Sequence, residues 1–204
     1  MTIWLASGNK HKKQEFSAIL GREIMIPSDA GLVFDPEETG KTFLDNSLLK
    51  ARELRLLLED KRPRGYERGD PVIADDSGLC VDALGGRPGI MSARYGSEAN
   101  GSKLGAAERN KLLLEELGGK QPRSARFVCA MVLYYSEHRF YAVSETIEGE
   151  IVSSISEAKG EGGFGYDPIL YLPALGRSVA ELSSDEKNAI SHRGKAGKKI
   201  SLLF

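Results

Sequence analysis

Ile3-Trp4-Leu5-Ala6-Ser7-Gly8-Asn9-Lys10-His11-Lys12 runs from an apolar stretch through a short polar loop to the start of a helix. Residues 2–6 read as a buried strand. Residues 10–20 read as a helix that carries Phe16, Ile19 and Leu20 on one face at i, i+3, i+4 spacing. A strand that gives way to a helix this quickly gathers free backbone N–H groups and the positive end of a helix dipole at one point, where a phosphate belongs. Gly8 lets the backbone approach an anion, Ser7 and Asn9 add short donors, and Lys12 in the first helical turn brings an ammonium to the same place. The competing reading is an Asn9 helix cap with Lys12 on a solvated face. No Gly-x-x-x-x-Gly-Lys-Ser/Thr occurs, so the loop is not a Walker A loop.

The rest of the chain extends this strand-and-helix alternation. Thr42 to about Leu58 is predicted as a helix that begins just after Gly40, and residues 72–75 as a second buried strand ending at Asp75-Asp76-Ser77-Gly78. A helix at about 104–117 follows the turn-rich Gly85–Gly89. Residues 125–135 and 139–152, rich in β-branched and aromatic side chains, pair as a hairpin around Glu137-His138. Ile169–Leu172 is a short strand, and Ser183-Ser184-Asp185-Glu186 is a capping box that opens the last helix. Early alternation followed by a hairpin predicts an α/β fold with a mixed sheet rather than a purely parallel one. The whole chain, residues 1–204, reads as one domain of one or two lobes.

Composition removes several function classes. A net charge of −1 gives no general attraction to nucleic acid or to an anionic membrane, so any phosphate binding must be local. The two cysteines, Cys80 and Cys129, sit in apolar runs as buried thiols do, and no Cys/His cluster suggests zinc. There is no leader-like start and no run near the ~18 apolar residues of a membrane span, so a soluble cytoplasmic protein is expected. Residues 61–71 read as a flexible surface insertion.

Four segments carry chemistry: Ser7 to Lys12; Asp75-Asp76-Ser77-Gly78; Phe164-Gly165-Tyr166-Asp167-Pro168 after the glycine-rich Gly160–Gly163; and Lys187 to Arg193. In this order they resemble the inosine triphosphate pyrophosphatase family, the house-cleaning hydrolases of deaminated purine nucleoside triphosphates. The resemblance runs from Ile3 to the last helix. It implies a long mixed sheet with helices in two lobes and a nucleotide cleft, ITP, dITP or XTP as substrate, Mg²⁺ as the cofactor, and a homodimer. Neither a nucleic-acid nor a membrane partner is implied, and no redox cofactor is required.

Carried over residue by residue, the resemblance assigns the loop Ser7, Gly8, Asn9, Lys10, His11 and Lys12 to substrate phosphates. It places the catalytic base and metal role on Asp76, the second aspartate of Asp-Asp-Ser-Gly, with Ser77 at the substrate. Side chains alternate along a strand, so Asp75 and Asp76 face one small site only if the chain turns there, and Asp75 reads as a supporting partner. Asp45 is the candidate second metal ligand. The family has glutamate before asparagine in this helix, whereas here the pair is Asp45-Asn46, one methylene shorter; Thr42-x-x-Asp45 also has capping-box spacing. Lys50, one turn on, reaches for phosphate or is a surface lysine. Phe164 offers a stacking face to a purine, beside Gly165 and Tyr166. Asp167 accepts from a ribose hydroxyl, from a base N–H or from a cation such as Arg193. Lys187, His192 and Arg193 are the donors available to a 6-oxo purine, or else form a solvated basic helix face. Rival readings are a Maf-like pyrophosphatase for other modified nucleotides, a nucleotide-binding regulator without hydrolysis, and a nucleic-acid-binding module.

Overall fold

The computed structural model describes residues 1–97, 104–160 and 165–204. Seven strands, β1 (Ile3–Leu5), β2 (Ile24–Met25), β3 (Val72–Val81), β4 (Ser124–Ser136), β5 (Arg139–Ile151), β6 (Leu170–Leu172) and β7 (Arg177–Ser178), form one sheet in the order β2-β1-β3-β4-β5-β6-β7. β1 is parallel to β2 and β3, whereas β5-β6 and β6-β7 are antiparallel, so the sheet is mixed. The described helices are α1 (Lys10–Leu20), α2 (Phe43–Lys61), α3 (Ala106–Leu117), α4 (Ser184–Ile190) and α5 (His192–Ser201). None of the described helices is long and apolar enough to cross a membrane.

The chain divides into two compact units, and β3, β4 and β5 each contribute residues to both. The first unit holds Met1–Asp76, Cys129–Glu145 and His192–Phe204. Its core follows from the alternation of β1: Ile3 and Leu5 pack with Phe16, Leu20, Met131 and Ile200, while Trp4 and Ala6 point the other way onto Ala51, Leu54 and Leu58 of α2. α1 and α5 pack closely because Gly197 has no side chain; a Cβ there would lie 2.4 Å from Ile19 Cγ2. The second unit holds Ser77–Val128 and Thr146–Ser191, with Leu79, Leu113, Leu117, Phe127, Ile147, Ile169 and Leu170 in its core.

Several expectations need correction. β3 does not stop at Asp75 but runs on through Asp76, Ser77 and Gly78 to Val81, because pairing within the sheet overrides the loop-forming tendency of that sequence. The last helix is two helices: the Ser183 capping box opens only α4, and Ser191, with extended backbone (φ −67°, ψ 161°), breaks the chain before α5. Residues 61–71 are pinned rather than loose. Arg55 donates to Tyr66 Oη at 3.1 Å and to the Asp70 carbonyl, Asp70 Oδ1 accepts from Thr2 N at 2.9 Å, and Tyr66 meets Trp4 edge-on. Cys129 is buried as expected, but Cys80 is only half-buried.

Candidate functional site

In the first unit, Asn9 caps α1. Its Oδ1 accepts from His11 N at 2.9 Å and from Lys12 N at 3.3 Å, and Ser7 Oγ accepts from Asn9 N at 3.1 Å. The capping reading of Asn9 therefore holds, but Lys12 is not a solvated residue: its Nζ lies 2.8 Å from Asp75 Oδ1. Gly8, Lys10 and His11 are exposed. A Cβ on Gly8 would meet only Phe34 O, at an ordinary 3.9 Å, so packing within the protein does not require glycine there.

Asp75 and Asp76 obey strand alternation and take different partners. Asp75, 2% exposed, is held by Lys12 and by Arg193, whose Nε and one terminal nitrogen both lie 3.2 Å from Oδ2; the other terminal nitrogen of Arg193 reaches Glu15 Oε2 at 2.7 Å. Burial alone would raise the Asp75 pKa, but the charges of Lys12, Arg193 and Lys50 prevail and hold it well below the usual carboxylate range. Asp76 Oδ2 accepts from Asn46 Nδ2 at 3.0 Å, and Oδ1 lies 3.4 Å from Lys50 Nζ. Here burial prevails, supported by the negative charges of Glu38 and Asp75, and the carboxyl group is pushed up. Lys50 is buried too, which by itself would lower its pKa; Asp76, Asp75 and Glu38 raise it instead.

Two residues in this cluster were not singled out from the sequence. Glu38 accepts from Lys50 Nζ at 2.8 Å, so Lys50 bridges Glu38 and Asp76. Asn46 is fully buried and clamps the cluster: besides donating to Asp76, its Oδ1 accepts from Gly40 N at 2.8 Å, and a Cβ on Gly40 would lie 2.5 Å from that same oxygen. Glu38 lies in an irregular segment with no periodicity to flag it; the usable signal was Gly40 beside a capped helix carrying a buried Asn. Asp45 is exposed, and its carboxylate accepts from Thr42 N at 3.0 Å while Thr42 Oγ1 caps Asp45 N at 3.1 Å, which is the capping box. Among the described residues no group of three or more His, Cys, Asp or Glu is arranged to hold a metal ion. The carboxylate pair at Lys50 does suit Mg²⁺, which takes one or two protein carboxylates and completes its shell with water and substrate phosphate.

In the second unit, Phe164 lies outside the described residues. Gly165 has φ +54°, in the left-handed region, and Tyr166 is buried with its hydroxyl donating to Ser92 O at 3.0 Å. Burial pushes the Tyr166 pKa up to about 12. Asp167, also buried, accepts from Lys187 Nζ at 2.6 Å. Its cationic partner is thus Lys187, and Arg193 is committed to Asp75 and Glu15 in the first unit. Lys187, His192 and Arg193 do not share a solvated helix face: the break at Ser191 puts Lys187 on α4, and the buried His192 and Arg193 on α5. Ser77 is half-buried on β3.

The mixed sheet and the sequence of the chain place it in a known family. Residues 3–202 match the Ham1 family, and the chain belongs to it. It is 49% identical over 197 residues to the dITP/XTP pyrophosphatase of Treponema denticola, covering 96% of this chain and 94% of that protein. It is 43% identical over 198 residues to the protein of the same name from Ralstonia nicotianae, covering 95% and 92%. Among solved structures, the Staphylococcus aureus Ham1 protein superposes with a TM-score of 0.82 at 37% identity, over 100% of this chain and 97% of that one.

Proposed function

We propose that the protein hydrolyses ITP, dITP and XTP to the nucleoside monophosphate and pyrophosphate. The observation that carries this reading is the Glu38–Lys50–Asp76 cluster, in which Lys50 and Asp76 are buried and Glu38 half-buried, in a chain nearly half identical to a dITP/XTP pyrophosphatase. Water attacks the α-phosphorus, the bond from that phosphorus to the bridging oxygen breaks, and pyrophosphate leaves. Asp76 orients the water and takes its proton; a carboxylate whose pKa burial has raised is a better base than an exposed one. Asn46 holds the Asp76 carboxylate by Oδ2, which leaves Oδ1, 3.4 Å from Lys50 Nζ, for this work. Lys50 and Lys12, now on carboxylates, carry the positive charge that phosphate oxygens attract. The residues that would hold Mg²⁺ are Asp76 with Glu38, and Asp45 remains a candidate through water. A bound Mg²⁺ would supply charge neutralisation on the leaving pyrophosphate.

Recognition of the 6-oxo purine is assigned to the Gly165–Asp167 turn with Lys187, and to Phe164 for stacking. A pocket of donors rewards an oxygen at C6 and leaves those donors unpaired against the amino group of adenine. A homodimer in the cytoplasm, where nucleotide pools lie, completes the reading, supported by the family resemblance. Initial rates with ITP, dITP, XTP, GTP and ATP, with and without Mg²⁺, test it. Pyrophosphate release from the first three above the last two is expected, and binding without release would leave a nucleotide-binding regulator instead.

A further inference from the structure

Asn110 lies on α3 among the leucines that build the second core, and only 4% of it is exposed. Its Nδ2 donates to the Gly165 carbonyl at 3.1 Å, while its Oδ1 is buried with no hydrogen-bond donor among the described residues. A buried amide that makes one hydrogen bond and leaves its oxygen unpaired gains little net stability, because the cost of the unpaired atom offsets the bond. Stability therefore does not account for an amide at this position, whereas its one bond falls on a residue where backbone conformation matters. Gly165 adopts φ +54°. The next residue, Tyr166, is fixed from another direction by its bond to Ser92 O; Ser92 is itself held, taking Leu79 N on Oγ at 2.9 Å and donating to Gly89 O at 2.6 Å. The residue after that, Asp167, pairs with Lys187. The turn is thus braced by one amide at its first residue and one phenol at its second.

We propose that Asn110 is a positioning residue for purine recognition, acting through the Gly165 carbonyl to set the Gly165–Asp167 turn and with it the Asp167–Lys187 pair. The inference rests on the function proposed above and adds to it a side chain that touches no substrate. Removing the amide leaves the Gly165 carbonyl without its anchor, so the turn samples other conformations and binding of the preferred base weakens. The chemical step, assigned to Asp76 in the other unit, proceeds as before once substrate is bound.

The test is Asn110→Leu, close to isosteric, which removes both the donor and the unsatisfied acceptor. Expected, whatever the change in Tm, are a KM for ITP raised about tenfold with kcat within about twofold, and an unchanged kcat/KM for ATP. A stability role alone would lower Tm and would not move the ITP-to-ATP ratio. An unchanged KM, or a parallel decline for ITP and ATP, overturns the proposal. Tyr166→Phe, which deletes one oxygen from the other brace, is measured alongside and should shift KM in the same direction; it decides the matter if the leucine variant does not fold. A wild-type protein inert towards ITP, dITP and XTP defeats the proposed function and this inference together, whereas an active wild type with no KM effect in either variant defeats the inference alone.

Discussion

Asp75 and Asp76 are neighbours on β3 whose carboxyl groups are driven to opposite acidities. Two cations that touch Asp75 outweigh its burial, while at Asp76 burial and two nearby carboxylates outweigh Lys50. One is a permanent counter-ion, and the other is a carboxyl group whose charge the fold does not fully satisfy.

Asp76→Asn should therefore lose turnover and keep its fold. The amide preserves shape and removes the charge that the proposed Mg²⁺ binding and proton acceptance require. We expect kcat to fall more than about tenfold, equivalent to about 1.4 kcal/mol of barrier, with ITP binding by calorimetry retained. Because the folded-state pKa of Asp76 is raised, its ionisation costs stability as pH rises from the unfolded value through the folded one. In metal-free protein at neutral pH the variant should be at least as stable as the wild type. A kcat within tenfold of wild type removes Asp76 from the catalytic role.

Asp75→Asn should do the reverse and strike the fold first. It leaves Arg193, 8% exposed, with Glu15 as its remaining carboxylate and takes the partner from Lys12. Breaking a buried pair from one side costs about 3–5 kcal/mol. The folded-state pKa of Asp75 is depressed, so its contribution is complete above about pH 4 and lost as pH falls through the folded value. Chemical denaturation across pH should show the wild-type advantage shrinking on the acid side; a pH-independent difference would contradict the ion-pair account.

The metal assignment separates Glu38 from Asp45. Glu38→Gln should raise the Mg²⁺ concentration for half-maximal rate several-fold, and Asp45→Ala should cost about 1 kcal/mol of stability, as loss of a cap does, and lower Tm accordingly. If Asp45→Ala instead shifts the Mg²⁺ dependence and Glu38→Gln does not, Asp45 is the ligand and the Lys50 bridge is structural.

Lys187→Met should reduce kcat/KM for ITP more than for ATP, since a charge-assisted bond is worth about 1.5–3 kcal/mol and only the 6-oxo purine offers the acceptor. The ratio should drop about ten- to a hundredfold. A parallel decline for both nucleotides would move Lys187 to phosphate binding or to support of Asp167 alone.

How legible all this was in the sequence depended on the range of the interaction. The helix starts at Asn9, Thr42 and Ser183 were readable because capping is local chemistry over three residues, and the β4–β5 hairpin because β-branched and aromatic residues fill two long runs on either side of a short polar turn. β2 and β7, at two residues each, are too short for periodicity to register. Asp75 and Asp76 could be assigned to different neighbours from alternation, but Arg193 lies 118 residues beyond Asp75, and no local pattern announces that pairing. Glu38 was missed for the same reason: its partners, Lys50 and Asp76, meet it only in the folded chain.

The first unit is assembled from three separated stretches, the last being residues 192–204, which deliver Arg193 to Asp75 and Ile200 to the core of α1. The second unit is complete in sequence by Ser191. During synthesis, then, the residues of the second unit are all made before α5 supplies the guanidinium that Asp75 pairs with in the first, so the unit that begins the chain is the later of the two to have its full set of partners.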